Sequence, residues 1–249
     1  SLMTDVPSLA DLQQAIRQAH QVLRPQVAVT PLSHSARLSA MTGCEVYLKC
    51  EHLQHTGSFK YRAASNKLRL LDAEQRRLGV ITASSGNHGQ GLALAGRALA
   101  VPVTVFTTRD ASVYKLEAMR TLGAEVCCLD LDPLGVELEA GRQARLQGKL
   151  FVSPYNDFDI IAGQGTVGME LFEQLPELDA VFVAVRGGGL ISGIGAALQG
   201  LAPRTRIIGC WPANAPTLQA SLQAGRIIDM QEQETLSDGT AGGVEPDSI

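Results

Sequence analysis

Three stretches of the 249-residue chain gather groups that could do chemistry. In Thr56-Gly57-Ser58-Phe59-Lys60-Tyr61-Arg62, a lysine stands beside an aromatic ring at the mouth of a helical pattern running from Ala63 to Leu71. Partial desolvation and the positive end of a helix dipole both lower an ammonium pKa, which suits an amine that must form an imine. A surface lysine after a turn fits the same heptapeptide. In Thr82-Ala83-Ser84-Ser85-Gly86-Asn87-His88-Gly89-Gln90-Gly91, two hydroxyls, an amide and backbone N–H groups follow a strand and open a helix. That arrangement makes an anion site of a size for a carboxylate; a plain strand-to-helix turn capped by serine is the alternative. In Val185-Arg186-Gly187-Gly188-Gly189-Leu190-Ile191-Ser192-Gly193, a β-branched run passes into glycines and then a helix. Bare backbone N–H groups approach a phosphate most closely where side chains are absent. Tight helix–sheet packing would use glycines too.

Positioning these groups calls for strands and helices in alternation. Val80–Ala83, Val101–Phe106, Glu125–Leu129, Val181–Val185 and Arg206–Gly209 are short β-branched runs that read as buried parallel strands. Between them, helical spacing runs through Leu92, Ala95, Ala98 and Leu99. It runs again through Val113, Leu116, Met119 and Leu122 up to Gly123, through Leu134 and Leu138 to Gly148, and through Val167, Leu171 and Leu175 to Pro176. An amphipathic helix with Leu9, Leu12, Ile16, Ala19 and Leu23 precedes Pro25. The β-α-β-α order predicts an α/β fold with a parallel sheet covered on both faces.

Other matches carry less. Gly163-Gln164-Gly165-Thr166-Val167-Gly168 fits G-x-G-x-x-G, but no strand abuts it and Arg186 stands in the region where an acid is expected, so a dinucleotide site is not expected. Cys50, His52 and His55 lack a suitably spaced fourth zinc ligand. Cys127 and Cys128 read as adjacent strand residues facing opposite ways.

Composition narrows the class. Lysine plus arginine total 21 against 25 acids, a formal charge of −4, which argues against nucleic-acid and membrane-surface partners. The chain is 45% apolar and 18% charged, a globular balance. Its 25 glycines, about a tenth of the chain against a usual ~7%, stand beside only 4% aromatics. Such a balance suits an α/β protein whose backbone approaches a small charged ligand. Five cysteines without regular spacing read as reduced thiols in the cytoplasm. The start reads as a cloning remnant, Ser1-Leu2 before Met3, with no secretory pattern behind it.

In this order the three motifs resemble the fold-type II family of pyridoxal-phosphate enzymes, and within it the threonine/serine dehydratases and serine racemases. The matching strings are Leu48-Lys49-Cys50-Glu51-His52-Leu53-Gln54 leading into Gly57-Ser58-Phe59-Lys60-Tyr61-Arg62, then Ser84-Ser85-Gly86-Asn87-His88-Gly89-Gln90, Ile161-Ala162-Gly163-Gln164-Gly165-Thr166, and Gly187-Gly188-Gly189-Leu190. The likeness runs from about Thr30 to Gly243. It implies two parallel-sheet α/β domains of the tryptophan-synthase-beta-like architecture. The large cofactor-binding domain would comprise residues 1–74 and 154–249, and a small mobile domain residues 75–153. The resemblance further implies that Lys60 holds pyridoxal 5′-phosphate through its amine, with Phe59 beside the ring and Asn87 on the cofactor's 3′ oxygen. Ser84, Asn87 and His88 would grip the substrate carboxylate, and Gly187, Gly188, Gly189 and Leu190 would cradle the phosphate. Ser85 matches the catalytic hydroxyl that racemases place on the opposite face of the substrate.

The chain also departs from the family pattern. Arg186 replaces the first of four usual glycines; it either adds a contact to phosphate or points away, and we read it as pointing away. Cys210 to Pro216 carries no carboxylate where many relatives bind a divalent metal, so no metal is expected. The serine that meets the pyridine nitrogen in relatives falls beyond Ile249, so the large domain is expected to lack its C-terminal part. The activity implied is an ammonia-lyase (dehydratase) converting L-threonine or L-serine to a 2-oxo acid and ammonia. The alternatives are a serine or hydroxyaspartate racemase, a threo-3-hydroxyaspartate ammonia-lyase, or a non-catalytic binder of the cofactor or an amino acid. A homodimer is the assembly the resemblance implies.

Overall fold

The computed structural model describes residues 7–240, 242–245 and 247–248. The expected remnant Ser1-Leu2-Met3 lies outside the described residues, as do Ala241, Pro246 and Ile249. In chain order the elements are α1 (Leu9–Leu23), β1 (Leu32–His34), α2 (Ala36–Thr42), β2 (Tyr47–Lys49), α3 (Lys60–Arg69), α4 (Ala73–Leu78), β3 (Val80–Ala83), α5 (Asn87–Leu99), β4 (Val103–Thr108), α6 (Val113–Thr121), β5 (Glu125–Leu129), α7 (Pro133–Gln147), β6 (Leu150–Phe151), α8 (Phe158–Gln174), β7 (Ala180–Ala184), α9 (Gly189–Leu201), β8 (Arg206–Cys210) and α10 (Thr217–Ala224). Their contacts form two compact units, Ala19–Ser153 on one hand and Ser1–Gln18 with Pro154–Ile249 on the other. These units differ from the expected domains over residues 19–74.

In the first unit, four parallel strands run in the order β5-β4-β3-β6, with Val80 opposite Val103 and Thr104 opposite Glu125. Alternate strand residues face opposite ways. Ile81 and Phe106 pack with Val136, Ala140 and Ala144 of α7. Val103 and Val105 instead meet α5, where Gly96 and Gly89 leave them room. Both faces are therefore covered, as the strand–helix alternation predicts. The sheet carries α5 at the end of β3, and so fixes where the serine-rich loop emerges. The expected strand from Val101 begins at Val103, because the Val101 amide closes the end of α5 on the Gly96 carbonyl at 2.8 Å. Helix ends follow their side chains. Asp132 accepts from Gly135 N and Pro133 opens α7, which ends at left-handed Gly148. A reciprocal Asp72–Gln75 capping box starts α4.

In the second unit β7 and β8 pair in parallel, Ala180 opposite Arg206. The G-x-G-x-x-G string lies inside α8, not in a strand-to-helix turn. A β-carbon on Gly165 would stand 3.0 Å from the Gly193 carbonyl of α9, and one on Gly193 would stand 2.5 Å from the Gly165 amide. These glycines serve backbone-to-backbone packing of α8 against α9. Ile16 of α1 fills the adjoining core with Ala162, Ala196 and Ala197.

Candidate active site

Lys60 opens α3. Its backbone amide donates to Ser58 Oγ at 3.2 Å, and its Nζ lies 5.4 Å from the centre of the Phe59 ring. Thr56 and Gly57, at φ 67° and 74°, turn the chain sharply just before it. The turn is held from beneath. Arg62 is 0% exposed and grips Glu51 with two bonds, Nε to Oε1 at 2.5 Å and Nη2 to Oε2 at 2.9 Å. Glu51 Oε2 also accepts from Thr30 Oγ1 at 2.5 Å, and Lys49 Nζ donates to the Thr30 carbonyl at 2.7 Å. Gln54 pairs with both backbone groups of Ala28. These bonds and the pairing offset part of the cost of burying the two charges. Gly91 of α5 faces the same first turn. A β-carbon there would stand 3.1 Å from the Lys60 carbonyl carbon, so α5 and the lysine backbone lie in direct contact.

The serine-rich loop leaves β3 with its groups sorted inward and outward. Ser84 Oγ accepts from the amides of Gly86 at 3.2 Å and Gly89 at 3.0 Å, capping α5. Ser85 and Asn87 are exposed. His88 turns into the core at 4% exposure. The Thr82 hydroxyl donates to the Val152 carbonyl at 2.7 Å, so the proton at His88 Nε2, 3.1 Å from Thr82 Oγ1, is assigned to His88. Nδ1 is then an unprotonated acceptor, buried with no hydrogen-bond partner among the described residues. Burial, and secondarily the charge of Lys60, hold the His88 pKa down at about 3. The imidazole is neutral, and the group His88 offers at the helix start is its backbone N–H. No backbone carbonyl among the described residues accepts from the amides of Ser85, Asn87 or His88.

In the other unit, β7 ends as Val185 N donates to the Cys210 carbonyl at 2.9 Å, and the glycine loop follows. Gly188 sits at φ 93° as the residue before α9, a conformation that L side chains rarely adopt. The Tyr155 ring fills the space that a side chain on Gly187 would need. Among the described residues no backbone carbonyl accepts from the amides of Gly187, Gly188, Gly189 or Leu190. Arg186 is exposed, and its guanidinium lies against Gly242.

Lys60, Phe59, Ser84, Ser85, Asn87 and His88 thus share one unit, while Gly187, Gly188, Gly189 and Leu190 stand in the other. The donor set fits pyridoxal phosphate. The loop before α9 offers a phosphate uncommitted backbone N–H groups at a helix start, and Lys60 offers an aldehyde an amine. The reading of the motifs gave no role to Glu51, Arg62 or Tyr155. Glu51 and Arg62 stand inside the matching strings, where several other charged and polar residues surround them and nothing in the spacing marked the two as a pair. Among the described residues no group of three His, Cys, Asp or Glu side chains could hold a metal ion.

Comparison with known proteins agrees with this geometry. The family described as pyridoxal-phosphate dependent enzyme matches residues 23–249. L-threonine ammonia-lyase of Thermotoga maritima is 44% identical over 227 residues, covering 91% of this chain and 56% of the relative. Serine racemase of Arabidopsis thaliana is 37% identical, covering 90% of this chain and 68% of the relative. The solved structure of maize serine racemase superposes with a TM-score of 0.90 at 36% identity, over 94% of this chain and 71% of that one. The chain spans little more than half the length of the threonine ammonia-lyases it resembles. By family match and by fold, the chain belongs to the pyridoxal-phosphate dependent enzymes of fold type II.

Proposed function

We propose that this chain carries the active centre of an ammonia-lyase that converts L-threonine or L-serine to a 2-oxo acid and ammonia. The observation that carries the reading is the Lys60 amine at the first turn of α3, in the same unit as a helix start from whose first amides no described backbone carbonyl accepts. The similarity to L-threonine ammonia-lyases at 44% and 41% identity supports the same reaction. Bound pyridoxal phosphate supplies the electron sink that cleavage of a Cα–H bond requires. Lys60 Nζ would hold the cofactor's aldehyde and would be the base for the Cα proton. Asn87 and Phe59 would help to hold the cofactor, and Gly187, Gly188, Gly189 and Leu190 would offer their N–H groups to its phosphate. Ser84 and the amides of Asn87 and His88 take the substrate carboxylate. The β-hydroxyl leaves with a proton as water, and the released enamine takes up water to give the 2-oxo acid and ammonia.

Residues 75–153 are the mobile small domain in this proposal, and residues 1–74 with 154–249 the large one. Two copies assemble in the cytoplasm. The five free cysteines support that location, and light scattering tests the assembly. No described helix is long and apolar enough to cross a membrane.

The test is 2-oxo acid formation from L-threonine, L-serine and 3-hydroxyaspartate, with Lys60→Ala beside the wild type. Activity with L-threonine or L-serine that falls more than about a thousandfold in Lys60→Ala supports the reading. A borohydride-fixed cofactor in Lys60→Ala overturns the lysine assignment. A second reading, racemisation of serine, is favoured by the exposed Ser85 at the helix start. D-serine that appears from L-serine in the wild type and not in Ser85→Ala establishes it. Tight cofactor binding with neither product identifies a binding protein.

A further inference from the structure

In the second unit, two contacts bear on the glycine loop, and one carboxylate joins them. Leu218, in the first turn of α10, has its Cδ2 3.3 Å from the point where a β-carbon on Gly188 would sit. The guanidinium of Arg186, the residue that leads into the loop, lies against Gly242. Glu232 is bonded to the chain at both places. Its Oε1 accepts from Thr217 Oγ1 at 2.7 Å, and its Oε2 accepts from the Gly242 amide at 2.5 Å. Thr217 is 2% exposed and opens α10, whose N-cap residue, Pro216, makes no side-chain cap. A carboxylate at that position also favours the helix start. The backbone on the C-terminal side of Glu232 is fixed separately. The Asn214 carbonyl accepts from Gln233 N at 2.9 Å, and Asn214 Nδ2 donates to the Glu234 carbonyl at 3.0 Å.

We propose that Glu232 is a positioning residue of the phosphate cradle: its carboxylate clasps Thr217 to Gly242 and so holds the glycine loop at its entry, Arg186, and at its bend, Gly188. Three glycines in succession have more conformational freedom than any other run of three residues. Their amides bind an anion tightly only when the order is imposed beforehand, because freedom lost on binding is subtracted from affinity. Tyr155 bears on the loop at Gly187 and Gly189, and the clasp supplies the restraint at Gly188 and Arg186. A carboxylate suits the task because each oxygen takes one donor. The inference rests on the reading of the glycine loop as the phosphate site.

The test compares two ligands, pyridoxal phosphate and pyridoxal, which share the aldehyde and ring and differ in the phosphate. Each is titrated by absorbance into the full chain stripped of cofactor. Glu232→Leu removes both ties and is expected to weaken pyridoxal phosphate about tenfold while pyridoxal stays within about twofold of the wild type. Glu232→Gln, with one acceptor oxygen for two donors, falls between. Thr217→Val cuts one tie and is expected to cost about threefold alone and almost nothing when added to Glu232→Leu. Melting of each variant without ligand reports folding, and Thr217→Val carries the comparison if the Glu232 variants melt early. Pyridoxal phosphate affinity in Glu232→Leu equal to wild type overturns the role of Glu232 alone. An equal loss for both ligands does the same, as does full additivity of Thr217→Val with Glu232→Leu. Wild-type protein that binds pyridoxal phosphate no more tightly than pyridoxal overturns the phosphate reading of the loop, and the clasp with it.

Discussion

The lysine-bearing region and the glycine loop are built by opposite means. Around Lys60 the work is done by side chains, and each rests on other side chains: Arg62 on Glu51, Glu51 on Thr30, His88 on Thr82. Around Gly188 the work falls to backbone from which side chains have been withdrawn, with Tyr155 packed into the space left. A region of the first kind breaks when a partner is removed. A region of the second kind breaks when an atom is added.

The contrast can be tested from the strongest effect downward. Glu51→Gln leaves the fully buried Arg62 without its counter-charge and is expected to cost about 3–5 kcal/mol in urea unfolding. Replacing both partners by methionine is expected to restore much of that, because no buried charge is then stranded. A double variant as unstable as Glu51→Gln would contradict the charge-pairing account. In the glycine loop, Gly187→Ala drives a methyl group into the Tyr155 ring and is expected to cost about 1–3 kcal/mol together with phosphate affinity. Tyr155→Ala in the same chain should return part of the cofactor affinity, measured by fluorescence titration. No recovery would place the glycine requirement elsewhere.

The third effect depends on pH. His88 has a pKa of about 3 in the fold against an ordinary value of 6.5, so below pH 6.5 the unfolded chain binds the extra proton first. The stability that His88 contributes is complete above pH 6.5 and is lost as pH falls toward 3, by about 1.4 kcal/mol per pH unit. His88→Gln removes that part of the slope. Unfolding free energies of the two proteins between pH 7 and 5 that decline in parallel would show that the imidazole is not held neutral.

Legibility in the sequence followed the same division. Long periodic helices and β-branched strands announced themselves, and α7 begins and ends where Asp132, Pro133 and Gly148 direct it. The three-residue strands β1 and β2 and the two-residue β6 offered too little pattern to separate from loop. Single residue types at fixed spacing marked Lys60, Ser84, Asn87 and the glycine run. Which way each side chain turns could not be read that way. His88 resembled a surface ligand in the string Asn87-His88-Gly89, yet its ring is fixed under β3 by Thr82 and Val152, partners 6 and 64 residues away. Gly86 and Gly91 looked alike on paper. One lies along the Lys115 stem and the other against the backbone of Lys60, distinctions that only tertiary packing makes.

Ser84 has one more consequence. With both lone pairs of its oxygen taken by the amides of Gly86 and Gly89, the hydroxyl retains only its hydrogen to offer. It stands beside the amides of Ser85, Asn87 and His88, from which no described backbone carbonyl accepts, and adds one more donor to them. A carboxylate satisfies every member of such a patch, whereas the carboxamide of an otherwise identical amino acid would press its own N–H groups against them. On the proposed reading of this loop, amino-acid amides and peptides are expected to bind it less tightly than free amino acids do.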